Sequence, residues 1–469
     1  MAATDRRRLR VAILGGGAAG TLAAVHLLRE PAAAPLEITL VDRAGSFGPG
    51  VAYATASPLH LLNVPAGRMG GISGQPDHFL RWLRGRGEED EAGSFLSRGT
   101  YGAYLADLLD AAEAAAGGAR LLRRRGEAVA VRRTPDAPSP LAVELGAGER
   151  LAADHVVLAL GPLPGAPPFP VPPDLPPGAY VADPWAEGAL APPRRGESVL
   201  IVGSGLTMVD VALALAAAPA PPSIRAISRH GLLPRDHGPG LTRLDCFRAP
   251  PGAAGLDSLI AVFFAEMTRA AAIGGDWRDV VDSMRPAVPA LWRRLGVADR
   301  RRFLSTLHRL WDVHRFRMAP AVAARVEELR REGQLEVGAG TVRSLARRGD
   351  RVEVVIEAGD GDETVALLID RVINCSGAGT DVSGGAPPLL AALLADGLAA
   401  ADPLGLGLEV DPDGAALDPS GRPSAPIHVV GALRLGVEWE AIGVTEIRDH
   451  AAAVARRIAA AGTGGAGPG

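Results

Sequence analysis

The chain has 469 residues, of which 47% are apolar and 22% charged, a balance that predicts a globular protein of two or three domains. Its formal net charge of −4, with acidic and basic residues interspersed, argues against nucleic acid as a partner. The two cysteines, Cys246 and Cys375, argue against a disulfide framework, a cysteine-rich metal site and a redox-active cysteine pair.

The start of the chain indicates neither a secretory leader nor a membrane span. The first apolar run, Val11–Leu14, leads directly into a glycine motif. No stretch of the sequence reaches the ~20 apolar residues that a membrane helix needs. The spacings of His and Cys match no zinc pattern. These observations predict a cytoplasmic protein that binds no metal.

A strand, a glycine-rich turn and a helix rich in Ala and Leu follow one another near the start of the chain. The strand Val11–Leu14 leads into Gly15, Gly17 and Gly20, which have G-x-G-x-x-G spacing, and the helix continues over Thr21–Arg29. In a dinucleotide-binding turn, the first glycine permits the tight turn and the second lets the backbone approach a pyrophosphate. The third lets the helix and the strand pack closely.

The residues around this turn complete a predicted dinucleotide site. The helix N-terminus, at Ala18 and Ala19, offers free N–H groups and a positive dipole end to phosphates. Asp42 closes the next strand, 22 positions after Gly20, where an acidic side chain accepts hydrogen bonds from the adenosine ribose. Arg43 follows it and is included in the site. The alternative is a turn with a purely structural role, which the combination of motif, context and acidic residue disfavours.

Short strands separate this motif from a second copy. The strands Val129–Arg132 and Leu141–Leu145 are predicted first, and the apolar strand Val156–Leu160 follows them and ends at Gly161. The proline-rich sequence from Pro162 to Pro177 then predicts a linker.

The second copy repeats the first two glycines but not the third. The strand Val199–Val202 leads into Gly203 and Gly205, and a helix is predicted over Val209–Ala217. Met208 stands where the third glycine would be, so we expect the helix and the strand to pack less closely.

The strand after the second turn ends in basic residues. The residues directly after Ile224–Ile227 are Ser228, Arg229 and His230, and none of them is acidic. An Arg at this position suits a 2′-phosphate, which a carboxylate would repel. This favours NADPH over NADH. The predicted nucleotide site comprises Gly203, Gly205, Leu206, Thr207, Ser228, Arg229 and Arg235. The alternative is a degenerate repeat that is kept for packing.

The rest of the chain changes from helical to strand patterns. The predicted elements are a helical block over about 255–332, strands at Val352–Glu357, Leu367–Ile373 and Ile427–Val430, and an amphipathic helix at about Thr445–Ala460. Gly161 and Gly377 each close a strand after a small meander, so we infer that a second domain is inserted into the first.

The predicted fold is α/β, with two Rossmann-like dinucleotide-binding domains of three-layer ββα architecture, the second inserted into the first, and a helical insertion. The predicted boundaries are 1–165 and 378–461 for the first domain and 166–377 for the second, with the helical insertion at about 235–332 and a disordered tail at 462–469.

These motifs lie in a sequence that resembles the bacterial FAD/NAD(P)-binding proteins, a family related to the ornithine and lysine N-hydroxylating monooxygenases. The resemblance covers nearly the whole chain. It rests on the segments Gly15–Gly20, Gly48–Tyr53, Leu61–Ala66, Gly203–Asp210, Ser228–Arg235, Trp311–Arg317 and Trp439–Arg448. It implies FAD in the first domain and NAD(P)H in the inserted one.

The resemblance also implies where the FAD lies. The segment Leu61–Ala66 would pass beside the isoalloxazine ring, and Gly431 would lie near the ribityl chain or the pyrophosphate. Val444, at the start of the last helix, would face the pyrimidine end of the ring, where a helix N-terminus stabilises the negative charge of reduced flavin. The predicted FAD site also includes Leu62, Val129 and Gly161.

Asn63 is the residue predicted to take part in catalysis, since its amide could hydrogen-bond the flavin or an oxygen adduct. An Asn before Val-Pro is equally typical of a turn.

Five basic residues could bind an anionic substrate or the nicotinamide nucleotide: His237, His308, His314, Arg315 and Arg317. Arg315 and Arg317 could equally belong to a helix face whose charged ends reach solvent.

The leading functional hypothesis is a single-component, NADPH-dependent flavin monooxygenase acting with O2 on a small polar substrate such as an amine. The alternatives are an NADPH:acceptor reductase of the quinone type and a flavin-bearing redox sensor. The block from about 235 to 330 departs from the N-hydroxylating enzymes, and no Baeyer–Villiger motif is present, so hydroxylation of ornithine or lysine is not carried over. The substrate and the oligomeric state stay open.

Overall fold

The computed structural model describes residues 7–32, 34–88, 91–238, 247, 255–359, 361, 363–379, 381–382 and 386–461. Cys246 and the predicted tail at 462–469 lie outside the described residues. None of the helices that the structure describes is both long and apolar enough to cross a membrane.

Strands and helices occur largely in separate blocks along the described chain, with seven successive strands from residue 120 to 202 and a block of helices from residue 256 to 331. The strands are β1 (Leu9–Leu14), β2 (Leu36–Asp42), β3 (Arg120–Arg125), β4 (Ala128–Arg133), β5 (Leu141–Leu145), β6 (Arg150–Ala153), β7 (His155–Leu158), β8 (Tyr180–Val181), β9 (Ser198–Val202), β10 (Ser223–Ser228), β11 (Leu335–Arg348), β12 (Arg351–Ala358), β13 (Thr364–Ile369), β14 (Arg371–Asn374), β15 (Ala415–Leu417) and β16 (Pro423–Val429). The helices are α1 (Ala18–Arg29), α2 (Gly50–Tyr53), α3 (His78–Gly85), α4 (Arg98–Ala115), α5 (Leu206–Ala216), α6 (Leu256–Ala272), α7 (Trp277–Met284), α8 (Val288–Arg294), α9 (Val297–Thr306), α10 (His308–Arg315), α11 (Pro320–Arg331), α12 (Pro388–Ala395), α13 (Leu435–Glu438) and α14 (Val444–Ala461).

The first sheet takes strands from both ends of the chain, in the order β15-β16-β7-β1-β2-β3. All neighbours are parallel except β15, which is antiparallel at the edge. Residues Val11–Leu14 of β1 are buried without alternation, because both faces of a parallel sheet are covered. Helices α1, α4 and α14 pack on one face, and the meander β4-β5-β6 with α12 packs on the other. This is a three-layer ββα arrangement.

The second sheet has the order β13-β12-β11-β10-β9-β14-β8. Strand β11 changes partner along its length: its first residues pair in parallel with β10, and the rest pair antiparallel with β12. The register shifts between Val342 and Ser344, an irregularity of the kind that bends a strand. Strands β11–β13 thereby cover the face opposite to α5 and α11.

These two sheets confirm the predicted fold class. Strands β8–β14 form the second sheet and lie in the chain between β7 and β16 of the first sheet, so the second nucleotide-binding domain is inserted into the first. Helices α6–α11 follow β10 and precede β11, which places the helical insertion within the inserted domain.

Two predictions in the second half are corrected. Leu367–Ile373 is not one strand, because the chain turns at Asp370, whose Oδ2 accepts hydrogen bonds from the N and Oγ of Ser198 at 2.8 and 2.6 Å. Strand β13 therefore pairs with β12, while β14 pairs with β9. The start of the predicted helical insertion is not helical, since Asp236 forms a parallel bridge with Met318.

Helix α4 was not predicted, although the sequence contains a signal for it. Tyr101, Tyr104, Leu105 and Leu108 recur at helix spacing and are all buried. Ser97 is the N-cap, and its Oγ accepts a hydrogen bond from the N–H of Thr100 at 3.0 Å. The helix packs against α1 and completes the helical face of the first sheet.

Candidate functional site

The two glycine turns have the same backbone geometry. Gly15 and Gly203 follow β1 and β9 and have φ angles of +110° and +114°. A Cβ at Gly15 would lie 2.2 Å from the carbonyl oxygen of Ala159, and a Cβ at Gly203 would lie 2.2 Å from that of Cys375. Each turn is therefore packed against the chain that leaves the neighbouring parallel strand, in a position where a side chain does not fit.

The second glycine of each motif is the N-cap of the following helix. Gly17 and Gly205 have an extended backbone, and neither helix receives a side-chain cap at this end. The first-turn N–H groups of α1 and α5 are therefore available to an anion. At the third position, a Cβ on Gly20 would lie 1.8 Å from the Gly15 oxygen, whereas Met208 is fully buried in the core of the second domain. The first-turn residues predicted for the two sites are Ala18, Ala19, Leu206 and Thr207.

Asp42 ends β2 beside the first turn. Its Oδ2 accepts a hydrogen bond from the N–H of Gly16 at 3.1 Å, and its Oδ1 accepts from the N–H groups of Ala44 and Ser46 at 2.9 and 3.2 Å. These contacts fix the orientation of the carboxylate. Since a carboxylate has about four lone-pair positions, it retains capacity to accept from a ribose hydroxyl.

The last strand and the last helix meet the first turn. Gly431 has a φ of +85°, and a Cβ there would lie 3.5 Å from the Cβ of Ala19. Val444 begins α14, and its side chain is buried in the core that α14 shares with α1. Gly431 thus lies beside the first turn of α1. Of the other residues predicted for this site, Val129 lies in β4, Gly161 follows β7 and Arg43 is exposed.

A side chain from the helical insertion reaches the second turn. The Oγ of Ser204 lies 2.7 Å from that of Ser228 and donates to the carbonyl of Leu232 at 2.6 Å. Arg309, on α10, donates from Nη2 to the Oγ of Ser204 at 3.2 Å. Arg229 is exposed at the end of β10. Sequence analysis missed Arg309, because nothing local in the sequence places α10 beside a turn about a hundred residues earlier.

Arg235, predicted as a phosphate ligand, is exposed. Its backbone N–H donates to the carbonyl of Val313 and its carbonyl accepts from Met318. The residue lines a cleft of about 940 Å³ that α10 and α11 border. Its role as a phosphate ligand stays a prediction.

The segment that contains Asn63 lies between the two domains. Leu61 packs against the core of the second domain, while Leu62 is buried in that of the first. The carbonyl oxygen of Asn63 lies 2.9 Å from Nε2 of His237. The segment therefore contacts both domains, and its position beside the flavin stays a prediction from the family resemblance.

Asp210 of α5 joins the two domains next to this segment. Its Oδ2 lies 2.9 Å from Nη2 of Arg98, whose Nε donates to the carbonyl of Leu61 at 3.1 Å. The backbone carbonyl of Asp210 lies 3.1 Å from Nε2 of His60. Burial raises the pKa of Asp210 to about 6, and the positive charge of Arg98 only partly opposes this shift.

A small cavity opens beside the Asn63 segment. Its volume is about 210 Å³, and its walls contain charged and polar groups as well as backbone. The lining residues are Pro65, Gly67, Arg68, Ala92, Gly93, His237 and Asp282. A cavity of this size suits a molecule of the dimensions of an amino acid or a short amine.

Two arginines predicted as possible substrate ligands are held in ion pairs. Arg315 binds Glu440 through Nε and Nη2 at 2.8 to 3.0 Å, and both side chains are buried. Arg317 is 2% exposed and is paired with Asp282. The alternative of a solvated helix face is therefore wrong for both residues. His308 and His314 contact the rings of Trp439 and Trp277.

The start of α14 carries a second ion pair, which is half-buried. Glu446, in the first turn, accepts from Arg285 through both carboxylate oxygens at 2.6 to 2.9 Å. Burial and the nearby charge of Arg315 lower the pKa of Arg285, and Glu446 and Glu440 oppose this shift. The pyrimidine end of a flavin at Val444 would lie next to this cluster of charges.

Cys375 follows β14 beside the second turn. It is buried, and burial, together with the negative charges of Asp210 and Asp183, raises its pKa well above the ordinary value. A thiol of this kind stays protonated and is a poor nucleophile.

Comparison with known proteins agrees with this geometry. Residues 12–163 match the family model described as FAD-NAD(P)-binding. An ornithine N-hydroxylase from Kutzneria sp. 744, solved with reduced FAD, NADP+ and L-ornithine, is 17% identical with a TM-score of 0.65, over 96% of this chain and 99% of that one. The ornithine hydroxylase of Pseudomonas aeruginosa is 15% identical with a TM-score of 0.66, over 97% and 99%.

A bacillithiol disulfide reductase from Staphylococcus aureus is less similar, at 13% identity and a TM-score of 0.57 over 97% of this chain and 99% of that one. No curated protein matches the chain by sequence. The family match confirms the predicted resemblance over residues 12–163 and agrees with FAD and NAD(P) as the cofactors, and the solved structures confirm the fold over nearly the whole chain. Both glycine turns, with their uncapped helix ends, fit such cofactors.

We predict that Gly15→Ala abolishes the binding of FAD. The added Cβ would approach the Ala159 oxygen to 2.2 Å at a φ of +110°, so the turn must change shape. The measurement is the ratio of flavin to protein after purification and reconstitution. Gly117→Ala is the matched control, since no atom lies within 4 Å of a Cβ there, and it should retain full FAD content. A fully loaded, folded Gly15→Ala protein would contradict the placement of FAD at this turn.

We also predict a pH dependence of stability from Asp210. Its pKa is about 6 in the folded protein, above its ordinary value, so the folded state holds the proton more tightly than the unfolded chain. This contribution to the free energy of unfolding is fully present below about pH 4 and is lost as the pH rises toward about 6.

Urea unfolding of wild type and Asp210→Asn across this pH range measures the effect. The variant cannot titrate at this position, so its stability relative to wild type should rise between about pH 4 and about 6. Asp413→Asn alters an exposed carboxylate and serves as the control, with no such change. Parallel curves for Asp210→Asn and wild type would contradict the raised pKa.

Proposed function

We propose that this FAD- and NAD(P)-binding oxidoreductase is a single-component flavin monooxygenase that uses NADPH and O2 to hydroxylate a small polar substrate of the amine class. FAD would bind at the Gly15 turn and NADPH at the Gly203 turn. FAD supplies the redox chemistry, and the chain holds the two cofactors and the substrate in position.

The observation that carries this proposal is the small cavity beside the Asn63 segment. At about 210 Å³, and with Arg68, His237 and Asp282 in its wall, it offers charged and polar groups to a compact substrate. A larger cleft of about 940 Å³ shares Gly93 with this cavity and could admit a bulkier acceptor such as a quinone. We take the smaller cavity as the substrate site because of its polar wall, and the proposal therefore names a small polar molecule as the species that is oxidised.

The state of Cys375 supports the same conclusion. A disulfide reductase that works through its own cysteines needs an accessible thiolate, whereas Cys375, the cysteine that the structure describes, is buried and has a raised pKa. Electrons from the flavin would then not pass through Cys375, and we propose a diffusible acceptor instead. The ornithine hydroxylases that share the fold suggest O2 as that acceptor and an amine as the co-substrate.

The net reaction would balance as follows. NADPH supplies two electrons, and one proton is taken up. One oxygen atom of O2 is inserted into an N–H bond of the amine, and the other is released as water. The chain's own contribution would be orientation and exclusion of water. The amide of Asn63 would offer a hydrogen bond at the flavin, while the carbonyl of the same residue is held by His237.

Placing FAD at the Gly15 turn and NADPH at the Gly203 turn also divides the chain into two domains. We propose that residues 1–165 and 378–461 form the FAD domain and that 166–377 form the NADPH domain with the helical insertion. The strands of the first sheet fall in the two outer segments, and those of the second sheet fall in the inner one, which supports these boundaries.

The test uses FAD-loaded protein, NADPH and O2 with a panel of amines that includes ornithine, lysine and cadaverine. A substrate should raise the rate of NADPH oxidation and should yield a product that mass spectrometry identifies as carrying one added oxygen. Formation of hydrogen peroxide with every amine, together with fast anaerobic reduction of a quinone, would contradict the proposal and would favour the acceptor reductase.

Asn63→Ala should separate NADPH oxidation from hydroxylation. The main-chain contact to His237 persists, but the side-chain amide is lost, so we expect the yield of product per NADPH to fall at least about tenfold while peroxide rises. Gln334→Ala removes an amide in the other domain and should leave the yield unchanged. An unchanged yield in Asn63→Ala would assign Asn63 to the turn alone.

A further inference from the structure

Helix α10 belongs to the helical insertion, yet one of its side chains lies at the second glycine turn. Arg309 donates from Nη2 to the Oγ of Ser204 at 3.2 Å and to the carbonyl of Leu232 at 3.3 Å. Its Nη1 lies 3.9 Å from the position that a Cβ would take on Gly205, the N-cap of α5. The guanidinium is therefore placed against the N-terminus of an 11-residue helix.

The charge of this guanidinium is not neutralised by an ion pair. Both of its hydrogen-bond acceptors are neutral, and no ion pair to Arg309 or to Arg229 occurs within the described part of the chain. The nearby carboxylate of Asp312 is engaged by His308 at 2.9 Å. Burial and the positive charge of Arg229 lower the pKa of Arg309, whereas Asp312 raises it, so the two guanidinium groups are close enough to repel.

The guanidinium of Arg309 and the positive end of the α5 dipole thus lie at one place, and Arg229 follows the strand that ends beside it. Without an anion this arrangement costs free energy, because the half-buried Arg309 loses hydration next to other positive charge. A dianionic group with several oxygens would offset this cost by attraction and hydrogen bonding. Guanidinium groups match the geometry of phosphate oxygens particularly well.

The position of Arg309 along the turn indicates which phosphate it meets. Ser204, to which it donates, is bonded in turn to Ser228, the last residue of β10. In dinucleotide-binding folds the adenosine ribose lies at the end of this second strand, and the pyrophosphate lies over the helix N-terminus. Arg309 therefore spans the turn: Nη1 faces the helix N-terminus, and Nη2 reaches, through Ser204, toward the end of β10, where the ribose would lie and which Arg229 follows.

Both ends of α10 contact the segment before α14. Arg315, at the C-terminal end, forms the bidentate ion pair with Glu440, and His308, at the N-terminal end, packs edge-on against Trp439 with ring centroids 5.4 Å apart. Trp439 has a φ of +59°, in the left-handed region, and this segment leads into α14. These contacts hold α10 in place and thereby limit the conformational freedom that Arg309 would lose on binding.

We propose that Arg309 is a ligand of the 2′-phosphate of NADPH, together with Arg229, and that the helical insertion thereby forms one wall of the nucleotide site. The inference rests on the proposed function only in taking NADPH as the nucleotide. It gives the insertion a role in selecting NADPH over NADH, apart from any role at the substrate cavity.

The test is calorimetric titration of the oxidised, FAD-loaded protein with NADP+ and with NAD+. Arg309→Ala should weaken NADP+ binding by about 10- to 100-fold, as expected for the loss of a hydrogen bond between two charged groups, and should change NAD+ binding by less than about twofold. Arg309→Lys keeps the charge but not the planar fork, so its affinity for NADP+ should be intermediate. Arg301→Ala, on the exposed side of α9, is the matched control and should bind both nucleotides like wild type.

The outcomes separate this inference from the proposed function. Unchanged NADP+ affinity in both Arg309 variants, or equal losses for NADP+ and NAD+, would overturn the assignment to the 2′-phosphate while leaving the monooxygenase proposal intact. A wild-type protein that binds neither nucleotide would overturn both. Flavin content and the unfolding midpoint of each variant show whether the fold is retained, and the Lys variant tests the assignment even if Arg309→Ala is unstable.

Discussion

The close approach of two glycine turns to the ends of neighbouring strands is the constraint on which the rest of the structure depends. At Gly15 and at Gly203 a side chain would overlap a carbonyl oxygen of the adjacent chain, so each turn is confined to one backbone path. That path directs the N-terminus of α1 or α5 away from the sheet with its N–H groups uncapped. Two anion-binding positions follow from backbone geometry alone, before any side chain is considered.

What makes these two positions one site is the chain between them. Leu61 packs on the second core while Leu62 is buried in the first, and Arg98 joins the segment to Asp210 on α5. Helix α10 makes a second connection, with Arg309 at the Gly203 turn and Arg315 at the segment before α14. A movement of either domain would therefore displace the residues around the cavity.

The sequence predicted those parts of the structure that local patterns determine. A strand, a G-x-G turn and a helix are contiguous, so both turns, Asp42 and the fold class could be inferred without knowledge of the tertiary structure. The sequence also contains buried residues at helix spacing in α4, but this helix was not predicted. The break at Asp370 depends on a hydrogen bond to Ser198, which no local pattern reveals.

Side chains brought together from distant segments could not be predicted in the same way. Arg309 contacts a turn about a hundred residues earlier in the chain, and Arg315 and Arg317 prove to be buried because Glu440 and Asp282 lie beside them. Charge and spacing alone do not distinguish a buried ion pair from a solvated helix face. The family resemblance is also the basis for placing the Asn63 segment beside the flavin, which periodicity does not address and which stays a prediction.

The central claim is that one chain brings a nicotinamide against a flavin. Anaerobic mixing of the purified, FAD-containing protein with NADPH tests this claim most directly. The account predicts that stoichiometric NADPH bleaches the absorbance of oxidised flavin, and that NADH does so far more slowly. A protein that cannot be loaded with FAD, or a bound flavin that NADPH leaves oxidised, would contradict it.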